Sequence, residues 1–280
     1  MKRRRRFSGA ADVRGFGGLR ELPLLPIGLG LGALFFFLKG DEMTASLGRA
    51  FDFAKAQAFK LALPSSIGQW ASQILSAAQR YGVDPWVLAG IMYGESRGGE
   101  ALTPMGPGGT GDFTPRWSGN KYFMYANPTT GMPPDGKGWG RGLMQIDYGV
   151  WNSWVLANPW WDAQINIDKA AEIFKSNLVF FQRSPGGPVS IEQWRVTTGM
   201  PQYGIQPWST RYAASFPTSA PDPRPLSGQA LYEAALAAYN SGTSGPLQAV
   251  AVGLPAEAVT ANQSYVSKFL TRIGAWQVKF

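Results

Sequence analysis

The stretch Tyr81-Gly82-Val83-Asp84-Pro85-Trp86-Val87-Leu88-Ala89-Gly90-Ile91-Met92-Tyr93-Gly94-Glu95-Ser96, residues 81–96, decides how the rest of the chain is read. Asp84-Pro85 opens a helix, the aspartate as cap and the proline in the first turn, where a missing N–H costs nothing. Val87, Ile91 and Glu95 then follow at four-residue spacing, with Leu88 and Met92 on the adjoining stripe. The carboxylate of Glu95 therefore continues an apolar face at the end of a helix. A carboxyl group drawn out of water resists ionisation, and one still protonated near neutral pH can hand its proton to a leaving oxygen. Taken alone, the stretch reads more readily as a solvated glutamate at a helix end.

Outward from this segment the chain reads as mainly helical. Residues 67–81 place Ile67, Trp70, Ile74, Ala78 and Tyr81 at helical spacing, and Asp162 precedes a second periodic run, Ile167, Ala170, Ala171, Phe174, Leu178 and Phe181. Two more helices are expected near 229–240 and 262–277. Residues 98–142 are rich in Gly and Pro and read as a long loop with at most a small sheet. Residues 183–228 are mixed and end on Pro217, Pro221, Pro223 and Pro225.

The chain contains no Cys and no His, which removes thiol nucleophiles, Ser-His-Asp triads, disulfide frameworks and histidine zinc sites. What remains is chemistry on carboxylates, hydroxyls and amides, and no metal or organic cofactor is implied. The 11 Trp and 10 Tyr suit core packing, or a groove that stacks sugars. Charge is uneven. Residues 1–20 hold seven Lys and Arg against Asp12, which is +6 of the total +8. The body therefore lacks the basic excess of a nucleic-acid binder. After this arm, Leu22 to Leu38 carries no charge. At ~1.5 Å per residue it spans roughly 25 Å as a helix, a little under a ~30 Å hydrocarbon core. The layout predicts a basic arm over 1–21, a transmembrane segment over 22–40 and a helical stalk over 41–64. A globular, mainly helical domain follows over 65–280, with insertions near 98–140 and 183–228. A cleaved export signal has the same layout as the first two. The arm is also suited to anionic lipid or nucleic acid through charge alone.

Three short strings occur in order: Gly94-Glu95-Ser96, Gly142-Leu143-Met144-Gln145-Ile146 and Ala238-Tyr239-Asn240-Ser241-Gly242. Together with the helix from Asp84 and the run from Asn158-Pro159 through Ile165-Asn166-Ile167 to Ala171, they resemble the soluble lytic transglycosylases and their goose-type lysozyme relatives. The resemblance covers roughly residues 67–182 and 229–277. It implies a mainly α, lysozyme-like fold and cleavage of the β-1,4 bond between N-acetylmuramic acid and N-acetylglucosamine in peptidoglycan. Glu95 would be the general acid and base, and Ser96, Gly142, Met144, Gln145, Tyr239 and Asn240 would be groove residues. An amide such as Gln145 offers both a donor and an acceptor to sugar groups, and Gly142 lets backbone approach closely. Met144 is equally suited to core packing; Tyr239 also suits a core aromatic, but the motif favours the groove role.

A second carboxylate separates the two chemistries that the resemblance implies. Ordinary glycosidases use two. The transglycosylases use one, which protonates the glycosidic oxygen and then takes a proton from the sugar's own 6-hydroxyl, leaving a 1,6-anhydro end. Asp135 and Asp147 flank the Gln motif in an arrangement similar to the water-positioning acids of goose-type hydrolases, although Asp147 also suits the cap of a helix from Tyr148. Glu95 and Gln145 are fifty residues apart, more than the family's usual gap, and the stretch between them includes Trp117, Tyr122, Phe123, Tyr125 and Trp139. A non-catalytic wall-binding or virion protein of this fold is the competing class. The setting expected is a bacterial envelope or the membrane of a phage virion, with the domain facing the wall.

Overall fold

The computed structural model describes residues 53–102, 140–191, 217–260 and 263–277. The chain divides into a unit Met1–Asp52 and a compact unit Phe53–Phe280. The basic arm and the apolar segment 22–40 lie outside the described residues, as do Asp135 and most of both insertions. No helix among the described residues is long and apolar enough to cross a membrane.

The described part is mainly helical. Helix α1 covers residues 53–62, α2 Ser65–Gly68, α3 Ala71–Tyr81 and α4 Pro85–Ser96. A two-residue ladder follows, β1 Gly140–Arg141 against β2 Ile146–Asp147, antiparallel, pairing Gly140 with Asp147 and Arg141 with Ile146. Then come α5 Tyr148–Ala157 and α6 Ala163–Gln182. A second ladder pairs β3 Val189–Ser190 with β4 Ser219–Ala220 and brings together the two ends of the second insertion. Helices α7 Gly228–Ser241, α8 Ser244–Ala251 and α9 Tyr265–Gln277 complete the unit, with a 3-10 turn at Ala256–Val259.

Local chemistry explains most of these boundaries. Gly82 closes α3 in the left-handed conformation at φ 61°, and both its N–H and that of Val83 return to the carbonyl of Ala78. Such a turn favours a residue without Cβ. Asp84 caps α4 by accepting the Trp86 N–H at 2.8 Å, and Asp162 caps α6 by accepting that of Ile165 at 3.0 Å. The continuous helix expected over 67–81 is instead interrupted at Gln69–Trp70, where α2 ends and α3 begins. The interruption lets the indole of Trp70 donate to the carbonyl of Gly98 at 3.0 Å.

One continuous core runs through the unit. Helix α4 is buried on nearly every side through Val87, Leu88, Ala89, Ile91 and Met92, as a central helix must be. Helix α6 packs on α3 and on α7, where Ala234, Ala235, Ala237 and Ala238 are small enough to admit a close neighbour. The expected stalk is partly a piece of this core. Phe59 and Leu63 are buried in it, and the Phe59 ring meets Trp86 edge-on at 4.8 Å. The boundary read from Pro64 therefore moves back to Phe53, because the aromatic side chains before the proline find apolar partners in the body.

Candidate functional site

Glu95 is the penultimate residue of α4. It keeps partial access to solvent, yet its carboxyl sits deep within the protein mass. Burial raises its pKa. A hydrogen bond from the Tyr265 hydroxyl to Oε1 at 2.7 Å and the positive charge of Arg272 pull the other way. Burial wins, and the group titrates at about 7. A carboxyl poised near the working pH is suited both to giving a proton and to taking one back. Tyr265 and Tyr239 are each pushed well above the ordinary phenol range, chiefly by burial and then by the charge of Glu95, so both remain neutral donors.

The next residue ties this acid to the glutamine loop. Ser96 is fully buried. Its hydroxyl donates to the carbonyl of Leu143 at 2.6 Å and accepts the N–H of Gly99 at 3.1 Å. The tyrosine of the third string does the same from the other side, for the Tyr239 hydroxyl donates to the carbonyl of Met144 at 2.9 Å. The three strings, far apart in the chain, thus meet through two hydrogen bonds to consecutive carbonyls of one loop.

That loop is shaped by contacts that only some residue types allow. Gly142 has φ +68°, and a Cβ there would lie 2.6 Å from Nδ2 of Asn166. Gln145 also takes a left-handed conformation, φ 49°, an uncommon state for a side-chain-bearing residue. Its Nε2 folds back to donate to the Gly142 carbonyl at 2.8 Å. Asn166, buried on α6, accepts the Met144 N–H at 2.8 Å and donates to the Arg141 carbonyl at 3.0 Å. Arg141 is fully buried, with its guanidinium 5.0 Å from the centre of the Tyr148 ring and 5.7 Å from that of Trp160.

The expected site residues therefore separate into different kinds. Glu95, Gln145 and Tyr239 are half-buried and adjoin one another through the loop, while Asn240 is exposed at the end of α7. Ser96, Gly142 and Met144 were expected to contact substrate. All three are buried, Ser96 as a hydrogen-bonding post and Met144 with its side chain in the core, because the loop must be anchored from beneath. Asp147 is exposed and caps α5, accepting the Gly149 N–H at 2.6 Å through Oδ1. Asp135 lies outside the described residues.

Tyr265 and Arg272, both on the last helix, went unmarked in the sequence. A tyrosine at the first position of a helix carries no signal of a carboxyl 170 residues earlier; only the packing of α9 against α4 brings them together. Gly90 makes that packing possible, since a Cβ there would fall 2.5 Å from the Phe269 ring. Among the described residues no group of three or more acidic side chains is placed to hold a metal ion. No protein-family model matches the sequence, and no curated protein matches it.

Proposed function

We propose that this protein cleaves the glycan strands of peptidoglycan between N-acetylmuramic acid and N-acetylglucosamine, with Glu95 as general acid and base, in the manner of a lytic transglycosylase. The observation that carries the reading is the convergence on one loop. A carboxyl that titrates at about 7 adjoins, through Ser96, the same Leu143–Gln145 backbone that Tyr239 holds from α7. In the proposed reaction the protonated Glu95 gives its proton to the glycosidic oxygen as the C1–O bond breaks. The resulting carboxylate takes the proton of the muramyl 6-hydroxyl, whose oxygen closes on C1 to leave an anhydro end. Tyr265 holds Oε1 in place and supports the anionic form between the two transfers.

The capping role of Asp147 supports the one-carboxylate route over a hydrolytic one, since one of its oxygens is engaged by the Gly149 N–H. We assign the lysozyme-like fold to the unit on the same convergence. Residues 22–38 we read as the membrane anchor that keeps the enzyme beside the wall.

Zymography on peptidoglycan gels tests the activity. The wild type should clear, and Glu95→Gln should lose roughly a hundred- to ten-thousand-fold of the rate, the range of a general acid. A wild type that sediments with sacculi but never clears them is a wall-holding protein instead. Mass spectrometry of the released fragments then separates the two chemistries, anhydro ends for the transglycosylase and reducing ends for the hydrolase using Asp135 or Asp147.

A further inference from the structure

Beside the acid, and not lined by it, is a cavity of about 140 Å³ between α4 and the first turns of α9. Its α4 side is Gly90 and Gly94, which present backbone alone. Its α9 side includes Tyr265, Lys268 and Arg272. Arg272 is half-buried and held in position: its Nη1 donates to the Gly90 carbonyl at 3.2 Å, and its guanidinium lies 4.5 Å from the centre of the Tyr93 ring. Neither Arg272 nor Lys268 forms an ion pair with any acid among the described residues. Glu257, on the turn before α9, has its Oε2 engaged by the Ser267 N–H. Glu95 gives its Oε1 to Tyr265. The cavity also opens at the N-terminal end of α9, where the helix dipole adds positive potential.

Arg272 and Lys268 thus line one cavity whose α4 wall is glycine backbone, and the acid that acts on Arg272 is Glu95, whose Oε1 is turned to Tyr265. A guanidinium drawn partly out of water with no ion pair of its own is costly, and a bound anion would offset that cost. Gly94 keeps the cavity open, for a Cβ there would come within 3.3 Å of Arg272 Nη1. We propose that this cavity is a binding site for a small oxyanion, a carboxylate or a phosphoryl group, held by the guanidinium fork of Arg272 and the ammonium of Lys268. Tyr265 both lines this cavity and bonds Glu95, so the site touches the acid through one shared side chain.

A consequence follows for the acid. The groups that act on Glu95 are Tyr265, Arg272 and Tyr239. Arg272 favours its anionic form, so an anion seated on Arg272 weakens that pull and lets Glu95 keep its proton to higher pH.

The test is an NMR titration of full-length ¹⁵N-labelled protein with sodium phosphate and, separately, with sodium acetate at constant ionic strength. Saturable shifts are expected at the amides of Gly90, Gly94, Tyr265 and Lys268. These report the cavity alone and are separate from whatever anions the basic arm attracts. Lys268→Gln, at an exposed position, should weaken the affinity by about five- to tenfold, the loss of one charge-assisted contact. Arg272→Gln should weaken it at least as much. Saturation by acetate assigns the site to carboxylates; saturation by phosphate alone assigns it to phosphoryl groups. Shifts that never saturate, or that are equal in wild type and Lys268→Gln, overturn the proposal. As a second readout, the ¹³C titration midpoint of the Glu95 carboxyl should rise when the site is filled. Neither readout requires the protein to cut glycan, so the site stands or falls separately from the activity.

Discussion

At the residue scale the controlling quantity is the proton affinity of Glu95. Its midpoint of about 7 is a balance between burial, which raises it, and Tyr265 and Arg272, which lower it. Removing a stabiliser of the anion must therefore move the midpoint up. Tyr265→Phe deletes the 2.7 Å bond while keeping the ring, so the carboxyl should stay protonated to higher pH. The ¹³C shift of the Glu95 carboxyl, followed against pH in the variant and the wild type, checks this directly. A midpoint that stays put or falls would mean that the Tyr265 bond does not favour the carboxylate. In activity the same change should carry the alkaline limb of the pH profile upward. The rate at the optimum should fall, because the freed carboxyl is less well oriented and its anion less well supported.

At the scale of elements, the loop Gly142–Gln145 is held by one side chain of α6. Asn166 is 1% exposed and satisfies two backbone groups at once, the N–H of Met144 and the carbonyl of Arg141. Asn166→Ala would leave both without a partner in a buried setting, at a cost of about 3 kcal/mol to the fold. Urea denaturation should show that loss as a lower midpoint with an unchanged slope. Clearing activity should fall even where the variant is fully folded, because the loop carrying Gln145 loses its anchor. An Asn166→Ala protein as stable as wild type would show that the two bonds contribute little. Much at this scale was legible in the sequence. The caps Asp84 and Asp162, the stripe along α6 and the central helix α4 all announce themselves through local chemistry, namely a side chain that accepts the first free N–H groups and apolar residues at helical period. The meeting of the three strings was legible only as a resemblance. The parts that escaped have no local signature. Helix α8 includes Gly245 and Pro246 in its first turn and lacks a side-chain cap. The Asn166 clamp depends on groups 22 and 25 residues earlier in the chain. Tyr265 reaches Glu95 only because Gly90 lets α9 come close, and nothing near position 265 reports what lies across that contact.

At the scale of the whole molecule, a carboxyl held protonated near neutral pH is a burden on the fold, whatever it would do for the proposed reaction. Glu95 has a folded-state pKa near 7, above its ordinary value of 4.5. Below about pH 4.5 the group is protonated in both states and costs nothing. Between there and 7 the unfolded chain releases the proton while the native protein keeps it, so stability falls as pH rises. The full loss, reached above 7, is about 3 kcal/mol from a difference of this size. Asp222 works in the opposite sense. Its hydrogen bonds with Arg224 hold it well below the ordinary carboxylate range, so its stabilisation is complete above its unfolded value and is lost as pH drops toward the folded one. Chemical denaturation at intervals from pH 3 to 9 should thus give a wild type whose stability rises from the acid end, peaks near pH 5 and declines toward 8. Glu95→Gln should abolish the decline and leave the acid limb intact. Asp222→Asn should flatten the acid limb and leave the decline. If the Glu95→Gln profile still declines between pH 5 and 8 as steeply as the wild type, the carboxyl does not hold its proton in the folded protein, and a glycan-cutting role for it loses its physical basis.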